Sequence, residues 1–345
     1  MLRRGAAAIS PMVLRSNARH TADISPAAPA EIRPGIIAAT AHWSAPNRTQ
    51  FLAAYIAGIA RQGEPFSVAV LTNGPQPVDA VRPTLQRMVD DLCEGVEVRT
   101  GPTESLLGSM LPTANRVFLA DWRGRGHPYR LTWQHKELFR DLVARPDLFD
   151  RVGVLMYLED DMQLADGGLE YWRTYRPRLA ARGLIPGYLR LEGPQDDVRV
   201  AGWPRSVGEP APFAEPAPAG TASDDTLWFA AMSNPYQAMF VLDEGLARPH
   251  FRASLFRSRV RSKYAGTVGS QWGVPERAAA GPLFDAPLPA GYEARAVVPL
   301  VRQADGSAMP YGPATTDHVS RNYYVDANTP MSKQPLAGAF RLDRV

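Results

Sequence analysis

The segment from Arg151 to Leu164 reads RVGVLMYLEDDMQL and decides the fold class. Its apolar part, Val152 to Leu158, has the length of a buried strand and ends in three consecutive carboxylates, Glu159, Asp160 and Asp161. Side chains on a strand alternate between its two faces, so Glu159 and Asp161 share one direction and Asp160 takes the other. Adjacent like charges repel, and a cation among them relieves the repulsion. The segment therefore predicts a buried strand that delivers acids to a site, although acids after a strand are also typical of a solvated turn.

Composition excludes several classes of protein. The chain has 345 residues, 45% hydrophobic and 21% charged, which is ordinary for a globular protein. The single cysteine, Cys93, excludes an intrachain disulfide and a zinc or iron–sulfur site built from several cysteines. The net charge is +3, but four arginines precede the first acid, so the rest of the chain is close to neutral and does not suit a nucleic-acid binder. No apolar run approaches the roughly 20 residues of a membrane span, and we expect a cytoplasmic protein without a transmembrane segment.

Composition also predicts the domain organisation. Residues 1–34 are rich in Ala, Arg, Ser and Pro without periodicity, so we expect a disordered tail, although an organellar transit peptide has a similar arginine-rich, acid-poor composition. We expect one folded domain over residues 35–325 and a C-terminal tail over 326–345. Within the domain, residues 203–226 are dense in Pro, Ala, Gly and Ser, which predicts a mobile insert.

Strands and helices alternate along the first half of the chain. The predicted strands before the acids are Gly35–Thr40, Phe66–Leu71, Val96–Arg99 and Arg116–Ala120. The predicted helices between them run from Asn47, a candidate N-cap, to Ile59, around Val81 to Leu92, and from Leu131 to Val143. After the acids we expect a helix over Leu169–Leu179, strands at Gly187–Glu192, Leu227–Ala231 and Gln237–Leu242, and a basic helix over Ala253–Lys263. The alternation predicts an α/β fold with a mainly parallel central sheet flanked by helices.

Three common catalytic motifs are missing from the sequence. The first strand is followed by Thr40-Ala-His-Trp43 and not by Gly-x-Gly-x-x-Gly, which weighs against a dinucleotide-dependent dehydrogenase. A Walker-type loop and Gly-x-Ser-x-Gly are also absent, which disfavours P-loop enzymes and α/β-hydrolases. The acid cluster remains. Its oxygen ligands suit Mg²⁺ or Mn²⁺, which could hold a diphosphate leaving group, and open parallel sheets bind ligands at the carboxyl ends of their strands.

A basic helix over Leu131–Val143, followed by a hydrophobic strand ending in Tyr-Leu-Glu-Asp-Asp, resembles the nucleotide-sugar glycosyltransferases of the GT-A fold. The resemblance extends over residues 35–325 and is specific over Leu131–Leu164. It implies a single Rossmann-like domain, a Mn²⁺ or Mg²⁺ cofactor and a nucleotide diphosphate sugar as donor. The family's Asp-x-Asp motif appears here as Glu159-Asp160-Asp161, which leaves open which acid takes the metal directly.

The resemblance also implies roles for the acids and for one histidine. Asp161 matches the last acid of the motif and is the first choice as metal ligand. Glu159 matches the first acid, which contacts the donor ribose or sugar, and it is the second metal candidate. Asp160 is counted with the donor-binding residues. His318, in Thr316-Asp317-His318, lies where the family takes a further metal ligand, although a surface loop histidine is the simpler reading.

Further donor contacts come from the ends of the other strands. The resemblance implies nucleotide contacts at Thr40, Asn73 and Asp121, although Asn73-Gly74 is also a turn dipeptide in its own right. Arg130 and Lys136 offer charge-assisted hydrogen bonds to the diphosphate oxygens. A solvated helix face is the alternative for both cations.

The acceptor side rests on residues in the second half of the chain. Tyr171, Trp172 and Tyr175 lie on one predicted helix, where their rings suit the apolar faces of a sugar or simply belong to the core. An inverting mechanism needs a base for the acceptor hydroxyl, and Asp243 or Glu244 could supply it. Inversion and retention of the anomeric configuration both remain open.

The sequence therefore predicts a metal-dependent glycosyltransferase that moves a sugar from a nucleotide diphosphate sugar to a carbohydrate or related glycan acceptor. A nucleotidyltransferase is one alternative, but it would need a glycine-rich basic loop where this chain has Thr40-Ala-His-Trp-Ser. A non-catalytic carbohydrate-binding or scaffold protein is the other, with the acids in a structural role.

Overall fold

A computed structural model describes residues 31–101, 106–122, 131–193, 199–200, 213–218, 226–231, 237–252, 278–279, 296–305, 307–321, 334–335 and 340–341. Within these ranges the protein is a mixed α/β structure with three sheets. No helix in them is both long and apolar enough to cross a membrane. Residues 1–30, Arg130, the predicted basic helix over 253–263 and most of the predicted insert lie outside the described residues.

The described residues form seventeen strands and seven α-helices. The strands are β1 Ile36–His42, β2 Phe66–Thr72, β3 Glu97–Thr100, β4 Arg116–Asp121, β5 Val154–Leu158, β6 Met162–Leu164, β7 Ile185–Pro186, β8 Leu189–Glu192, β9 Arg199–Val200, β10 Phe213–Pro216, β11 Thr226–Ala231, β12 Met239–Leu242, β13 Ala296–Arg302, β14 Ser307–Pro310, β15 Thr315–His318, β16 Gln334–Pro335 and β17 Phe340–Arg341. The helices are α1 Thr49–Ala60, α2 Val78–Asp90, α3 Leu106–Ser109, α4 Gln134–Val143, α5 Pro146–Phe149, α6 Gly168–Ala180 and α7 Glu244–Arg252.

The central sheet has six strands in the order β12-β5-β1-β2-β4-β3. All neighbours are parallel except β12, which runs antiparallel to β5. Every residue of β2 and of β5 is buried. Continuous burial is what a parallel sheet covered on both faces requires, because neither face of its strands meets water. The predicted mainly parallel sheet is therefore confirmed.

The order of the strands reverses its direction at one place in this sheet. The chain moves from β1 to β2 and on to β3 in one direction, then returns through β4 to β5 on the far side of β1. Right-handed crossovers then place α1 and α2 on one face and α3 and α4 on the other. The contacts agree, since α1 packs against α2 and α4 packs against α3. The direction reverses between β1 and β5, and open α/β sheets bind ligands at the carboxyl ends of such a strand pair.

A second sheet begins where the central one ends. It has the order β16-β9-β8-β15-β6, and β6 starts directly after the acids that follow β5. β15 is antiparallel to β6 and pairs His318 with Met162, while β8 is parallel to β15 and pairs Leu191 with Asp317. The third sheet, β10-β11-β13-β14-β17, is antiparallel, and β7 joins β13 in parallel.

Helix α1 packs directly against β6. A Cβ atom on Gly58 would lie 3.1 Å from the Gln163 Cγ atom and 3.1 Å from the Leu164 backbone nitrogen. Such distances are shorter than ordinary van der Waals contacts, so only glycine lets the helix approach the strand this closely. The helix that begins after Arg48 is thereby seated on the strand that follows Asp161.

Several boundaries differ from the sequence prediction. β1 continues two residues beyond Thr40 to His42, because parallel pairing with β2 continues to Thr72. The residue before α1 is Arg48 and not Asn47, and no side chain caps this helix. Residues 213–216, inside the predicted insert, form β10 and pair with β11, since an irregular composition does not prevent an edge strand from pairing through its backbone.

Asp243 has two structural roles at the start of α7. Its Oδ1 atom accepts the Leu246 backbone N–H at 2.8 Å, as a helix N-cap does. Its Oδ2 atom lies 2.9 Å from the Arg176 Nε atom, and both side chains are buried. Asp243 therefore neutralises a guanidinium inside the core and caps a helix at the same time.

We expect replacement of Gly153 to destabilise the protein, because the backbone of this residue touches another segment. A Cβ atom on Gly153 would collide with the Arg33 carbonyl oxygen and lie 2.9 Å from the Gly35 oxygen. Gly153→Ala should lower the free energy of unfolding by about 1–3 kcal/mol, as overpacking does. Gly108→Ala is the matched control, since a Cβ there meets nothing within 4 Å. Urea denaturation measures the free energy of unfolding of both variants. Equal stability would contradict the close approach of the Gly153 and Arg33 backbones.

We expect Asp243→Asn to destabilise the protein through Arg176. The amide keeps the cap oxygen but leaves a buried guanidinium without its countercharge, a loss of about 3–5 kcal/mol. Glu244→Gln is the control, because Glu244 is 63% exposed and pairs with Arg248 on the helix surface. That change should stay within about 0.5 kcal/mol. Thermal denaturation of both variants tests this, and an unchanged midpoint for Asp243→Asn would refute the role of the ion pair.

Candidate functional site at the edge of the central sheet

The three acids form the corner where the chain leaves the central sheet. The Glu159 backbone N–H donates to the Ala238 oxygen at 3.0 Å, and the Met162 N–H donates back to the Glu159 oxygen at 3.0 Å. This tight corner turns the next two side chains inward, so Asp160 is 6% and Asp161 7% exposed. A solvated turn would leave them in water. The acids are therefore buried groups that require neutralising partners.

Asp160 is held by the end of β1 and the start of α1. The His42 Nδ1 atom lies 2.6 Å from Asp160 Oδ2, and the Arg48 Nη2 atom donates to Oδ1 at 2.8 Å. The register explains the first contact, because Ala39 pairs with Tyr157 and each partner follows three residues later. His42 is fully buried, and its Nε2 atom has no hydrogen-bond partner among the described residues. Asp160 thus links β5 to β1 and α1.

Asp161 is held by β15. The His318 Nε2 atom lies 3.2 Å from Asp161 Oδ2, and the Arg48 Nη2 atom lies 3.4 Å from the same oxygen. The pairing of His318 with Met162 brings the imidazole beside the residue that precedes β6. Burial acts to raise the pKa of Asp161, but the hydrogen bond and charge of His318, the charge of Arg48 and a hydrogen bond from Ser320 lower it below its usual range. Asp161 is therefore a carboxylate at neutral pH.

A buried network orients His318 from its other side. The His318 Nδ1 atom lies 2.8 Å from Glu192 Oε2, and Arg190 donates to Glu192 Oε1 from Nε at 2.7 Å and from Nη2 at 2.6 Å. Arg190 and Glu192 alternate on β8, so both side chains leave the same face of that strand toward β15. Burial opposes protonation of His318, while the hydrogen bonds to Asp161 and Glu192 raise its pKa. The network fixes the ring so that Nε2 lies 3.2 Å from Asp161 Oδ2 and 2.9 Å from the Ser320 Oγ atom.

The Asp161–His318 pair can accommodate a divalent cation. Neighbouring ligands of an octahedral ion with bonds of about 2.1 Å lie about 3 Å apart, close to the separation of these two atoms. The contact of Nδ1 with Glu192 is the type that holds metal-binding histidines. Among the described residues no group of three or more His, Cys, Asp or Glu side chains is suited to a metal. Glu159 therefore does not join Asp161 and His318 as a third metal ligand, which corrects that expectation. The other ligands of a cation would come from water or substrate.

The predicted nucleotide contacts lie along the same edge of the sheet. Thr40 is buried in β1, and its Oγ1 atom has no partner among the described residues. Asn73 follows β2 and donates its backbone N–H to the His42 oxygen at 3.0 Å. Asp121 ends β4 and pairs in register with Thr72. Three neighbouring strands thus bring polar residues to the edge that carries the acids.

Of the two predicted diphosphate-binding cations, only Lys136 is described. It is 1% exposed, and its Nζ atom lies 4.2 Å from the centroid of the Trp133 ring. Burial lowers the pKa of Lys136 well below its usual value. Lys136 therefore belongs to the interior and does not offer a solvent-facing charge, which corrects the expectation that it meets a diphosphate. Arg130 lies outside the described residues.

Asp243 and Glu244 are separated from the acids by the length of a strand. Met239 pairs with Leu158 and Leu242 with Leu155, so β12 ends where β5 begins. At about 3.3 Å per residue, β5 places roughly 15 Å between that end and the acids. Asp243 caps α7 and pairs with Arg176. The expectation that either acid is the base is therefore replaced by structural roles.

The predicted acceptor-binding aromatics form part of the core. Tyr171, Trp172 and Tyr175 are all buried, and the two tyrosine hydroxyls donate to the backbone oxygens of Gly187 and Pro216 at 3.0 and 2.7 Å. The alternative given to them from the sequence, a core stripe, is the one observed. Among the described residues, Trp43 is an exposed aromatic residue, at 43% exposure, and it directly follows His42.

Sequence reasoning missed five residues of this network: His42, Arg48, Ser320, Arg190 and Glu192. A signal existed for the last two, because opposite charges two residues apart in an apolar strand indicate a buried pair. Arg48 gave no local signal, since it lies more than a hundred residues from its partners. Among known proteins, no family model matches the chain, and a search of curated proteins finds no significant match.

Proposed function

We propose that the protein is a divalent-cation-dependent glycosyltransferase of GT-A type, which transfers a sugar from a nucleotide diphosphate sugar to a carbohydrate or related acceptor. The observation that carries the proposal is the pair of Asp161 and His318, whose Oδ2 and Nε2 atoms lie 3.2 Å apart just beyond the carboxyl end of β5, where the strand order reverses between β1 and β5. Oxygen and imidazole ligands at a strand-order reversal are suited to a cation and a nucleotide.

The surroundings of the pair support a nucleotide donor. Thr40, Asn73 and Asp121 lie at or near the ends of three neighbouring parallel strands, on the edge that carries the acids. A nucleoside laid along this edge would meet their polar groups and direct its diphosphate toward Asp161. Trp43, exposed directly after β1, offers an aromatic face for a ring of the donor.

The residues of the site divide the work between them. Asp161 and His318 would hold the cation, and Glu192 with Arg190 keeps the imidazole in position. Asp160 is bound to His42 and Arg48, so it secures the corner and is not free to turn toward a cation. When bound, the cation would neutralise charge that develops on the departing diphosphate. Glu159, partly exposed at the same corner, remains the candidate for contact with the donor sugar.

A binding or scaffold protein is the second candidate, and one observation favours it. Asp160 is fully engaged by two partners, and Asp161 also has protein partners, so the acids are neutralised without any ligand. A nucleotidyltransferase has less support, because the segment after β1 is Trp43-Ser-Ala-Pro-Asn and not a glycine-rich basic loop. Ligand binding separates the candidates.

We expect UDP or GDP to stabilise the protein only when Mn²⁺ is present. A nucleotide at 100 times its dissociation constant adds about 2.7 kcal/mol to the free energy of unfolding. Asp161→Asn, which keeps the shape of the side chain but removes its charge, should abolish the stabilisation and the metal-dependent hydrolysis of donor sugars. Differential scanning fluorimetry across nucleotides, with and without Mn²⁺, measures this.

Asp166→Asn is the matched control for that experiment. Asp166 follows the same corner, but it lies on the surface, where it pairs with Arg61. This variant should respond to nucleotide and Mn²⁺ as the wild type does. A wild-type protein that is not stabilised by any nucleoside diphosphate with Mn²⁺ would refute the transferase and favour the scaffold.

A further inference from the structure

Arg48 touches both buried acids, and the proposed function leaves its role open. It is the residue before α1, and its side chain is 26% exposed at the mouth of the site. One nitrogen, Nη2, lies 2.8 Å from Asp160 and 3.4 Å from Asp161. A single guanidinium group therefore spans the carboxylates that follow β5.

The two contacts of Arg48 are unequal. The bond to Asp160 has an ordinary length, while 3.4 Å is longer than the usual range for N–H···O bonds. Asp160 also has His42 at 2.6 Å, so it anchors the arginine. The charge of Arg48 attracts Asp161, but the hydrogen bond between the two side chains is weak. Asp161 can therefore exchange the arginine for another cation with little loss of hydrogen-bond energy.

Arg48 also has hydrogen-bonding capacity to spare. Its Nε atom is buried and has no partner among the described residues. A buried donor without an acceptor is costly, and an incoming oxygen would relieve that cost. Guanidinium groups suit phosphate oxygens, because their donors are planar and paired. The group that neutralises the acids is thus also able to receive an anion.

We propose that Arg48 is a resident counter-cation that competes with a divalent cation for the carboxylate of Asp161. When a diphosphate binds, Arg48 gives up its contact with Asp161, and the divalent cation takes its place. This inference rests on the proposed function. Two cations near one carboxylate repel each other, so Arg48 weakens the binding of a metal ion alone. A diphosphate adds negative charge and takes donors of Arg48, which removes the penalty. Cation and diphosphate therefore bind with positive coupling.

The proposal predicts opposite effects of one substitution on two ligands. Arg48→Gln removes the competing charge, so the protein without nucleotide should bind Mn²⁺ at least about tenfold more tightly, which corresponds to about 1.4 kcal/mol. The same variant should bind inorganic pyrophosphate in EDTA at least about tenfold more weakly, because it loses a phosphate-binding group. Mn²⁺ binding is measured by electron paramagnetic resonance of the free ion, and pyrophosphate binding by calorimetry.

Three further variants control the experiment. Arg61→Gln removes the same charge at the other end of α1, where Arg61 pairs with Asp166 on the surface, and it should change neither affinity more than about twofold. Arg48→Lys keeps the charge and should keep the weak binding of Mn²⁺. Arg48→Met retains an apolar stem beside Phe51 and replaces the glutamine variant if circular dichroism shows that the latter is unfolded.

The outcomes separate this inference from the function on which it rests. Tighter Mn²⁺ and weaker pyrophosphate binding in Arg48→Gln or Arg48→Met support the competition. If the wild type binds Mn²⁺ and the neutral variants bind it no more tightly, the counter-cation role is overturned and the transferase stands. If the wild type takes up no Mn²⁺ with or without pyrophosphate, the cation-dependent function is overturned and this inference with it.

Discussion

Two adjacent carboxylates buried at the end of one strand impose the constraint on which the rest of the site depends. Burial of an uncompensated charge costs several kcal/mol, so each acid needs its own partners. Asp160 takes them from the central sheet and α1 through His42 and Arg48, and Asp161 takes His318 from the neighbouring sheet. The end of β1, the start of α1 and the register of β15 are all tied to this division of charge.

The same division gives the two acids different surroundings. Asp160 joins elements more than a hundred residues apart in the chain and leaves little capacity for a ligand. Asp161 meets a histidine whose far side is fixed by Glu192 and Arg190. One acid therefore joins β1, β5 and α1, and the oxygen of its neighbour lies beside an imidazole nitrogen whose orientation is fixed.

Local sequence patterns predicted the elements, whereas the contacts between them were beyond such patterns. The strand before the acids, the alternation of strands and helices and the parallel sheet follow from apolar periods and turn residues, and these predictions are confirmed. The roles of Asp243 and Lys136 could not be read this way, because an apolar strand looks the same whether it runs parallel or antiparallel, and a helical lysine looks the same buried or exposed. Arg48 meets its partners only in the folded chain, so no period of the sequence reveals it.

Gly58 gives the site a mechanical dependence on a residue that carries no polar side chain. Because Gly58 has no Cβ, α1 packs on the backbone of Leu164. The position of the helix that begins after Arg48 is therefore coupled to the position of the strand that follows Asp161. A methyl group on residue 58 would shift the helix by a few tenths of an ångström. The distance between Arg48 and the two acids would then change, although none of these charged groups is altered. The spacing of Arg48 and the two acids thus depends also on the steric fit of the buried Gly58 against β6.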